Sequence, residues 1–112
     1  MKKPIPIRIN KNMKDDAKKL FADLGTNTTK EITRFLELVV VNESLPFEPI
    51  TKGLPQYVGK DTLLQIEVEE KLKKESNERL KALGMTLSTA INLFIRQCLI
   101  ENNLPYKINN AD

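Results

Sequence analysis

The chain repeats itself at an offset of 59 residues, and this repeat constrains the fold more than any other feature. From Ile7 to Pro49 the first half aligns with the second half without a gap. The matching positions are mostly apolar residues or turn residues, which are the ones that determine a fold. They pair Ile7 with Ile66, Leu24-Gly25 with Leu83-Gly84, Phe35 with Phe94, and Leu45-Pro46-Phe47 with Leu104-Pro105-Tyr106.

Each copy begins with a short alternation of apolar and other residues. The apolar positions are Ile5, Ile7 and Ile9 in the first copy and Leu64, Ile66 and Val68 in the second. A period of two predicts a strand with one buried face. Pro4 and Pro6 have no N–H to donate to a neighbouring strand, so we expect a two-stranded ribbon and not the centre of a larger sheet.

Two helices follow the strand in each copy. In the first copy Asn10 is a suitable N-cap, and Gly25 is suited to the end of that helix. The second helix is predicted to begin at Asn27 or Thr28, where Thr28 and Glu31 have the spacing of a capping box. In the second copy Glu69 is a poorer cap, Gly84 ends the first helix, and Thr86 caps the second. The Leu-Pro-Phe and Leu-Pro-Tyr sequences are predicted to end the helical segments, because proline restricts the preceding residue.

The two copies are expected to depend on each other. A unit of roughly 43 residues buries too little apolar surface to be stable alone, and a single strand must pair. We therefore predict a mainly α fold with a short two-stranded antiparallel ribbon. It consists of two strand–helix–helix repeats, residues 1–47 and 63–112, joined by a linker at 48–62. The linker is long enough for pairing within one chain, and a swapped homodimer is equally reachable.

The composition argues against catalysis. Histidine and tryptophan are absent, and Cys98 is the single cysteine. This excludes a histidine general base, a Ser/His/Asp triad, a Cys/His zinc site and an internal disulfide. We therefore expect no enzyme, no metal and no cofactor. The absence of a long apolar run and of a visible signal peptide predicts a cytoplasmic protein that does not engage a membrane.

The ordered set of motifs resembles a known superfamily. In the second copy the set comprises the strand 65–68, the segments 72–75, 83–88 and 90–94, and Leu104-Pro105-Tyr106. These resemble ribbon–helix–helix proteins, and more narrowly antitoxins of the RelB/DinJ type, here as a tandem repeat that forms a pseudo-dimer. The resemblance implies a transcriptional repressor that inserts its ribbon into the DNA major groove.

The resemblance also implies site residues. Outward strand side chains contact base edges, and the second helix of each copy presents its N-terminus to a phosphate. The implied base contacts are Arg8, Asn10, Gln65 and Glu67. The implied phosphate contacts are Lys2, Lys3, Lys11, Thr28, Thr29, Thr86 and Ser88.

Double-stranded DNA is therefore the expected partner, and a net charge of +3 is compatible with it. Residues 1–52 hold the basic excess, with ten Lys and Arg against seven Asp and Glu. The resemblance also leaves an alternative, in which the chain is an antitoxin-like module that binds a small RelE-like ribonuclease toxin and binds DNA weakly or not at all. Glu48 to Lys60 is the segment that remains available to wrap such a toxin.

Overall fold

Strands and helices follow the same order in both halves of the chain. The computed structural model describes residues 1–49 and 57–106, so the predicted linker and the C-terminal tail lie partly or wholly outside the described residues. Within these ranges there are two strands and four helices. They are β1 (Lys2–Ile9), α1 (Lys11–Asp23), α2 (Thr28–Asn42), β2 (Thr62–Glu69), α3 (Glu70–Ala82) and α4 (Leu87–Glu101). The corresponding elements have equal lengths of 8, 13 and 15 residues. The predicted mainly α fold with a two-stranded antiparallel sheet is confirmed.

The two strands of this single chain form an antiparallel ribbon. The register runs from Lys2 opposite Glu69 to Ile9 opposite Thr62. Near its centre Pro6 lies opposite Gln65, and these two residues are also 59 positions apart. The centre of the strand pairing therefore coincides with a pair of equivalent positions in the sequence.

One face of the ribbon is buried, as the alternation predicts. The inward residues Ile5, Ile7 and Ile9 from β1 and Leu64, Ile66 and Val68 from β2 are all buried. The helices cover this face. Among the described residues no single helix has the length and apolar character that a membrane crossing needs.

Phe94 of α4 lies at the centre of an aromatic cluster that joins the two halves. Its ring stacks on that of Phe35 with 4.7 Å between centroids, and the rings of Phe21, Phe47 and Tyr106 lie within 6.4 Å of it. Buried residues from both halves form one hydrophobic cluster. Because the core is shared, each half covers apolar surface that the other half would otherwise expose to water.

The caps of α1 and α3 follow the sequence prediction. The Asn10 side chain accepts a hydrogen bond of 3.0 Å from the backbone N–H of Met13, whereas the Glu69 side chain makes no capping bond. Both helices end before a glycine with positive φ, Gly25 at 80° and Gly84 at 81°. Left-handed backbone at this position is what favours glycine there.

The start of α2 agrees with the prediction, but its capping differs from it. Asn27 is the N-cap, and its side chain accepts from the backbone N–H of Lys30 at 2.8 Å. Because Asn27 and not Thr28 is the N-cap, Glu31 lies one residue beyond the capping-box position, and the expected box with Thr28 does not form. Its carboxylate instead accepts a 2.7 Å hydrogen bond from the hydroxyl of Thr26.

The ends of α2 and α4 also correct the prediction. Glu43 and Asn102 have left-handed backbone, with φ of 55° and 56°, and they terminate the two helices. Pro46 and Pro105 each lie three residues further on. The chain thus leaves the helix before the proline restricts it, and the prolines do not cause the termination.

Candidate nucleic-acid interface

The outer face of the ribbon brings together three of the four predicted base-contacting residues. Arg8 lies opposite Leu63 at one end, Pro6 lies opposite Gln65 at the centre, and Pro4 lies opposite Glu67 towards the other end. All six side chains are exposed. We call these six residues the ribbon face. They are Pro4, Pro6, Arg8, Leu63, Gln65 and Glu67.

The polar side chains of the ribbon face are not engaged elsewhere. Among residues 1–49 and 57–106, those of Arg8, Gln65 and Glu67 make no hydrogen bond or ion pair. Arg8 and Gln65 are diagonal neighbours across the strands, at a separation of roughly 7–8 Å for such pairs. Their donors and acceptors are therefore free to meet a ligand together.

The ribbon face carries balanced charge. Arg8 contributes a positive charge, and Glu67 contributes a negative one. Beyond the face, Lys2 lies opposite Glu69, whose carboxylate also receives the N-terminal ammonium group of Met1 at 3.2 Å. Attraction to a polyanion must therefore come largely from the flanks of the ribbon.

Asn10, the fourth residue predicted to contact a base, does not belong to this face. It is only 6% exposed. Its side-chain oxygen caps α1, and its amide nitrogen donates to the backbone carbonyl of Val58 at 2.8 Å. Both polar groups of the Asn10 side chain thus make hydrogen bonds within the protein.

The starts of α2 and α4 flank the ribbon on opposite sides. Thr28 and Thr29 line an open groove together with Gln65 of β2. Asn92 of α4 donates to the carbonyl of Arg8 at 2.9 Å and to the carbonyl of Ser88 at 3.0 Å, which places the first turn of α4 beside β1. The second helix of each half therefore begins beside the strand of the other half.

The four hydroxyl residues predicted to contact phosphate differ in their surroundings. Thr86 caps α4, since its side chain accepts from the backbone N–H of Thr89 at 3.1 Å. Thr29 is exposed in the first turn of α2, while Thr28 and Ser88 are half-buried. All four lie at helix starts, where some backbone N–H groups have no partner within the helix.

The predicted lysines are distributed unevenly. Lys2 is exposed on the strand, and Lys3 is half-buried. Lys11 lies at the start of α1, where its ammonium group pairs with Asp15 at 3.0 Å and its backbone N–H donates to the Asp61 carboxylate at 2.8 Å. Of these three lysines, only Lys2 is exposed on a strand.

Two further lysines, which the prediction left out, touch the edges of the ribbon. The Lys14 ammonium group donates to the carbonyl of Leu63 at 3.1 Å, and that of Lys73 donates to the carbonyl of Pro4 at 2.8 Å. Lys14 and Lys73 are 59 residues apart, and so are Pro4 and Leu63. The sequence repeat aligned the two lysines and offered the signal that would have identified them.

The burial of Glu31 was also not predicted from the sequence. Glu31 is 1% exposed, and its carboxylate accepts from Thr26, lies 3.4 Å from the hydroxyl of Tyr106 and lies 3.7 Å from the Arg34 guanidinium. Burial, and to a smaller degree the Glu31 charge, raises the pKa of Tyr106 and of the Cys98 thiol well above their usual range. Cys98 is thus an inert buried thiol.

Comparison with known proteins was informative for the second half of the chain. Residues 61–112 match the family model of the RelB antitoxin. The RelB match begins one residue before β2 and includes α3 and α4. It covers slightly less than half of the chain, and residues 1–60 lie outside it. No curated protein and no solved structure matches the chain. The resemblance to RelB antitoxins is therefore supported for the second copy, while the tandem arrangement stays a prediction.

Proposed function

We propose that the chain is a DNA-binding repressor of the antitoxin type that places its ribbon in the major groove. The observation that carries the proposal is the ribbon face, on which Arg8, Gln65 and Glu67 are exposed and unengaged between the starts of α2 and α4. A two-stranded ribbon has the dimensions that the major groove admits. The RelB match of residues 61–112 supports an antitoxin rather than an enzyme, and we expect no catalytic turnover and no cofactor.

The proposed contacts follow from the chemistry of the side chains. Arg8 donates to the two acceptors of guanine, Gln65 pairs with adenine, and Glu67 accepts from the amino group of cytosine. The starts of α2 and α4 lie against the phosphates on each side, because a helix N-terminus favours anions. The flanking groups are Thr28, Thr29, Thr86 and Ser88, with Lys2, Lys3, Lys11 and Lys14 supplying positive charge.

We further propose that the two halves form a pseudo-dimer within the chain, with repeats at 1–47 and 63–112 and a linker at 48–62. Equal element lengths support this proposal, and so does the pairing of Pro6 with its equivalent Gln65. The hydrogen bonds of Lys14 and Lys73 give further support, because each lysine reaches the strand of the other half at an equivalent position.

The test is binding of the purified chain to a labelled duplex taken from upstream of its own gene, followed by fluorescence anisotropy over a range of salt concentrations. We expect the logarithm of the affinity to fall linearly with the logarithm of the salt concentration. Arg8→Ala is expected to weaken binding about tenfold and to relax the preference at one base pair. Lys74→Ala removes the same charge from an exposed position on α3 and is the matched control. The absence of a complex at low salt would contradict the proposal.

A second candidate function is favoured by the RelB match and by the acidic residues Glu67 and Glu69 on β2. In this reading the chain neutralises a small basic toxin of the RelE-like ribonuclease kind in the cytoplasm, and DNA binding is weak. Co-expression with the product of the adjacent gene tests it. A stable complex that forms without DNA, together with no binding to the upstream duplex, would favour this function over the first.

A further inference from the structure

Arg8 and Glu67 occupy equivalent positions at opposite ends of the ribbon face. They are 59 residues apart in the chain. Each lies two residues after a member of the central pair Pro6–Gln65, and each faces an apolar residue across the ribbon, Leu63 for Arg8 and Pro4 for Glu67. The same place in the two halves thus holds a donor-only cation in one case and an acceptor-only anion in the other.

This difference contrasts with the scaffold around it. Lys14 and Lys73 make the same hydrogen bond on the two edges of the ribbon. Gly25 and Gly84 end α1 and α3 with the same left-handed backbone. The side chains of Arg8 and Glu67 have no polar partner among the described residues. Neither charged group therefore makes a polar contact that stabilises the fold. Their opposite chemistry remains available to a ligand.

A palindromic DNA site offers identical bases to two equivalent protein positions. Guanine at both would suit Arg8, but it would place Glu67 against the acceptors N7 and O6. Cytosine at both would suit Glu67, but it would place Arg8 against the amino donor of cytosine. Neither of these two palindromes gives both side chains the base that each prefers at the equivalent position.

We propose that the chain reads a non-palindromic operator, whose two half-sites differ at the base pair met by Arg8 in one and by Glu67 in the other. This inference rests on the proposed DNA-binding function. Guanine is the base at the Arg8 position, and cytosine is the base at the equivalent position met by Glu67. The residues across the ribbon from Arg8 and Glu67, Leu63 and Pro4, are both apolar and keep the same preference in the two half-sites.

The central pair adds a one-sided contact. Gln65 can pair with adenine through its side-chain amide, whereas Pro6 has no polar group in its side chain. The centre of the site is therefore read from β2 alone. This agrees with an operator that has a fixed orientation relative to the chain.

The experiment begins with selection of bound duplexes from a library with a randomised central segment, using the purified full chain at low salt. The selected sequence then serves as the frame for three duplexes that are otherwise palindromic. They carry guanine at both equivalent positions, cytosine at both, or guanine at one and cytosine at the other. We expect the mixed duplex to bind about tenfold more tightly than either palindrome.

Substitutions of Arg8 and Glu67 then test whether these two residues cause the preference for the mixed duplex. Glu67→Arg is expected to shift the preference to the guanine palindrome, and Arg8→Glu is expected to shift it to the cytosine palindrome. Glu78→Arg makes the same charge change on an exposed face of α3 and is the matched control. It should strengthen binding to all three duplexes alike, because it alters the net charge and not the reading surface. Circular dichroism verifies that each variant is folded.

Each outcome has a separate meaning. Tight binding with a preference for a palindrome would overturn the asymmetric operator and leave the proposed function intact. A preference for the mixed duplex that the Glu67→Arg substitution does not change would overturn the role of Glu67. No binding to any duplex at low salt would overturn both the inference and the proposed function.

Discussion

The hydroxyl of Tyr106 lies 3.4 Å from a carboxylate oxygen of Glu31, and it connects the last described segment of the chain to α2 of the first half. The residues 59 positions away are Phe47 for Tyr106 and Ala90 for Glu31. A polar pair in one place therefore corresponds to an apolar pair in the other. The two halves share a core, but they differ in how they close it.

Tyr106→Phe is expected to lower the free energy of unfolding by about 1 kcal/mol, because a buried charged acceptor loses a donor. Urea denaturation measures the change. A double-mutant cycle with Glu31→Gln isolates the interaction, and the two single changes should not be additive. Additive effects of the two substitutions would show that the contact contributes nothing.

Asn10→Ala is expected to destabilise the protein by roughly 1–2 kcal/mol, since it removes the cap of α1 and the bond to Val58. The equivalent residue Glu69 makes no capping bond. Glu69→Asn should therefore stabilise α3 by about 0.5–1 kcal/mol. Thermal unfolding of the two variants measures both effects, and a stable Asn10→Ala protein would contradict the structural role of Asn10.

Glu43→Gly is expected to raise the free energy of unfolding by up to about 1 kcal/mol. Glu43 has φ of 55°, a backbone conformation that costs energy for a residue with a Cβ atom. Asn102→Gly at the equivalent helix end is the comparison, and it should gain less because asparagine tolerates this conformation better. A loss of stability in Glu43→Gly, measured by thermal unfolding, would contradict the expectation.

Stability is expected to decline in alkaline solution. Burial first, and the charges of Glu31 and Glu101 second, raise the pKa of Cys98 above its ordinary value of 9.0. Above about pH 9 the unfolded chain loses this proton and the folded protein keeps it, so the free energy of unfolding falls by about 1.4 kcal/mol per pH unit. Tyr106 adds a similar loss above its ordinary value of 10.0.

Cys98→Ala separates the thiol from the other titrating groups. The variant is less stable at neutral pH because it leaves a small cavity. The decline between about pH 9 and pH 10 should nevertheless be shallower than in the original protein. Urea denaturation under reducing conditions at several pH values measures the two slopes, and equal slopes would contradict the assignment to Cys98.

The strand alternation, the cap at Asn10 and the turns at Gly25 and Gly84 were all predictable from the sequence. Each depends on a local pattern that has one physical solution, such as left-handed backbone at glycine. The same local rules predicted that α2 begins at Asn27 or Thr28. They also predicted a capping box between Thr28 and Glu31, and this box does not form. Asn27 and Thr28 are both acceptable caps, and a local pattern does not choose between them.

The candidate site was less predictable for the same reason. Asn10 lies next to the exposed strand in the sequence, but Val58 approaches it from 48 residues away and binds its amide group. Lys14 and Lys73 resemble ordinary solvated helix residues until the antiparallel register places a strand carbonyl beside each of them. Such roles depend on contacts between segments that are far apart in the chain, which a local pattern does not contain.

The pairing of β1 with β2 has a consequence for behaviour at low concentration. When a ribbon is assembled from two separate chains, dilution favours dissociation by mass action. In the proposed pseudo-dimer both strands belong to the same polypeptide, so the pairing is a unimolecular step and its equilibrium does not depend on the number of molecules present. A cell that holds only a few copies of this chain would still hold them with the ribbon formed.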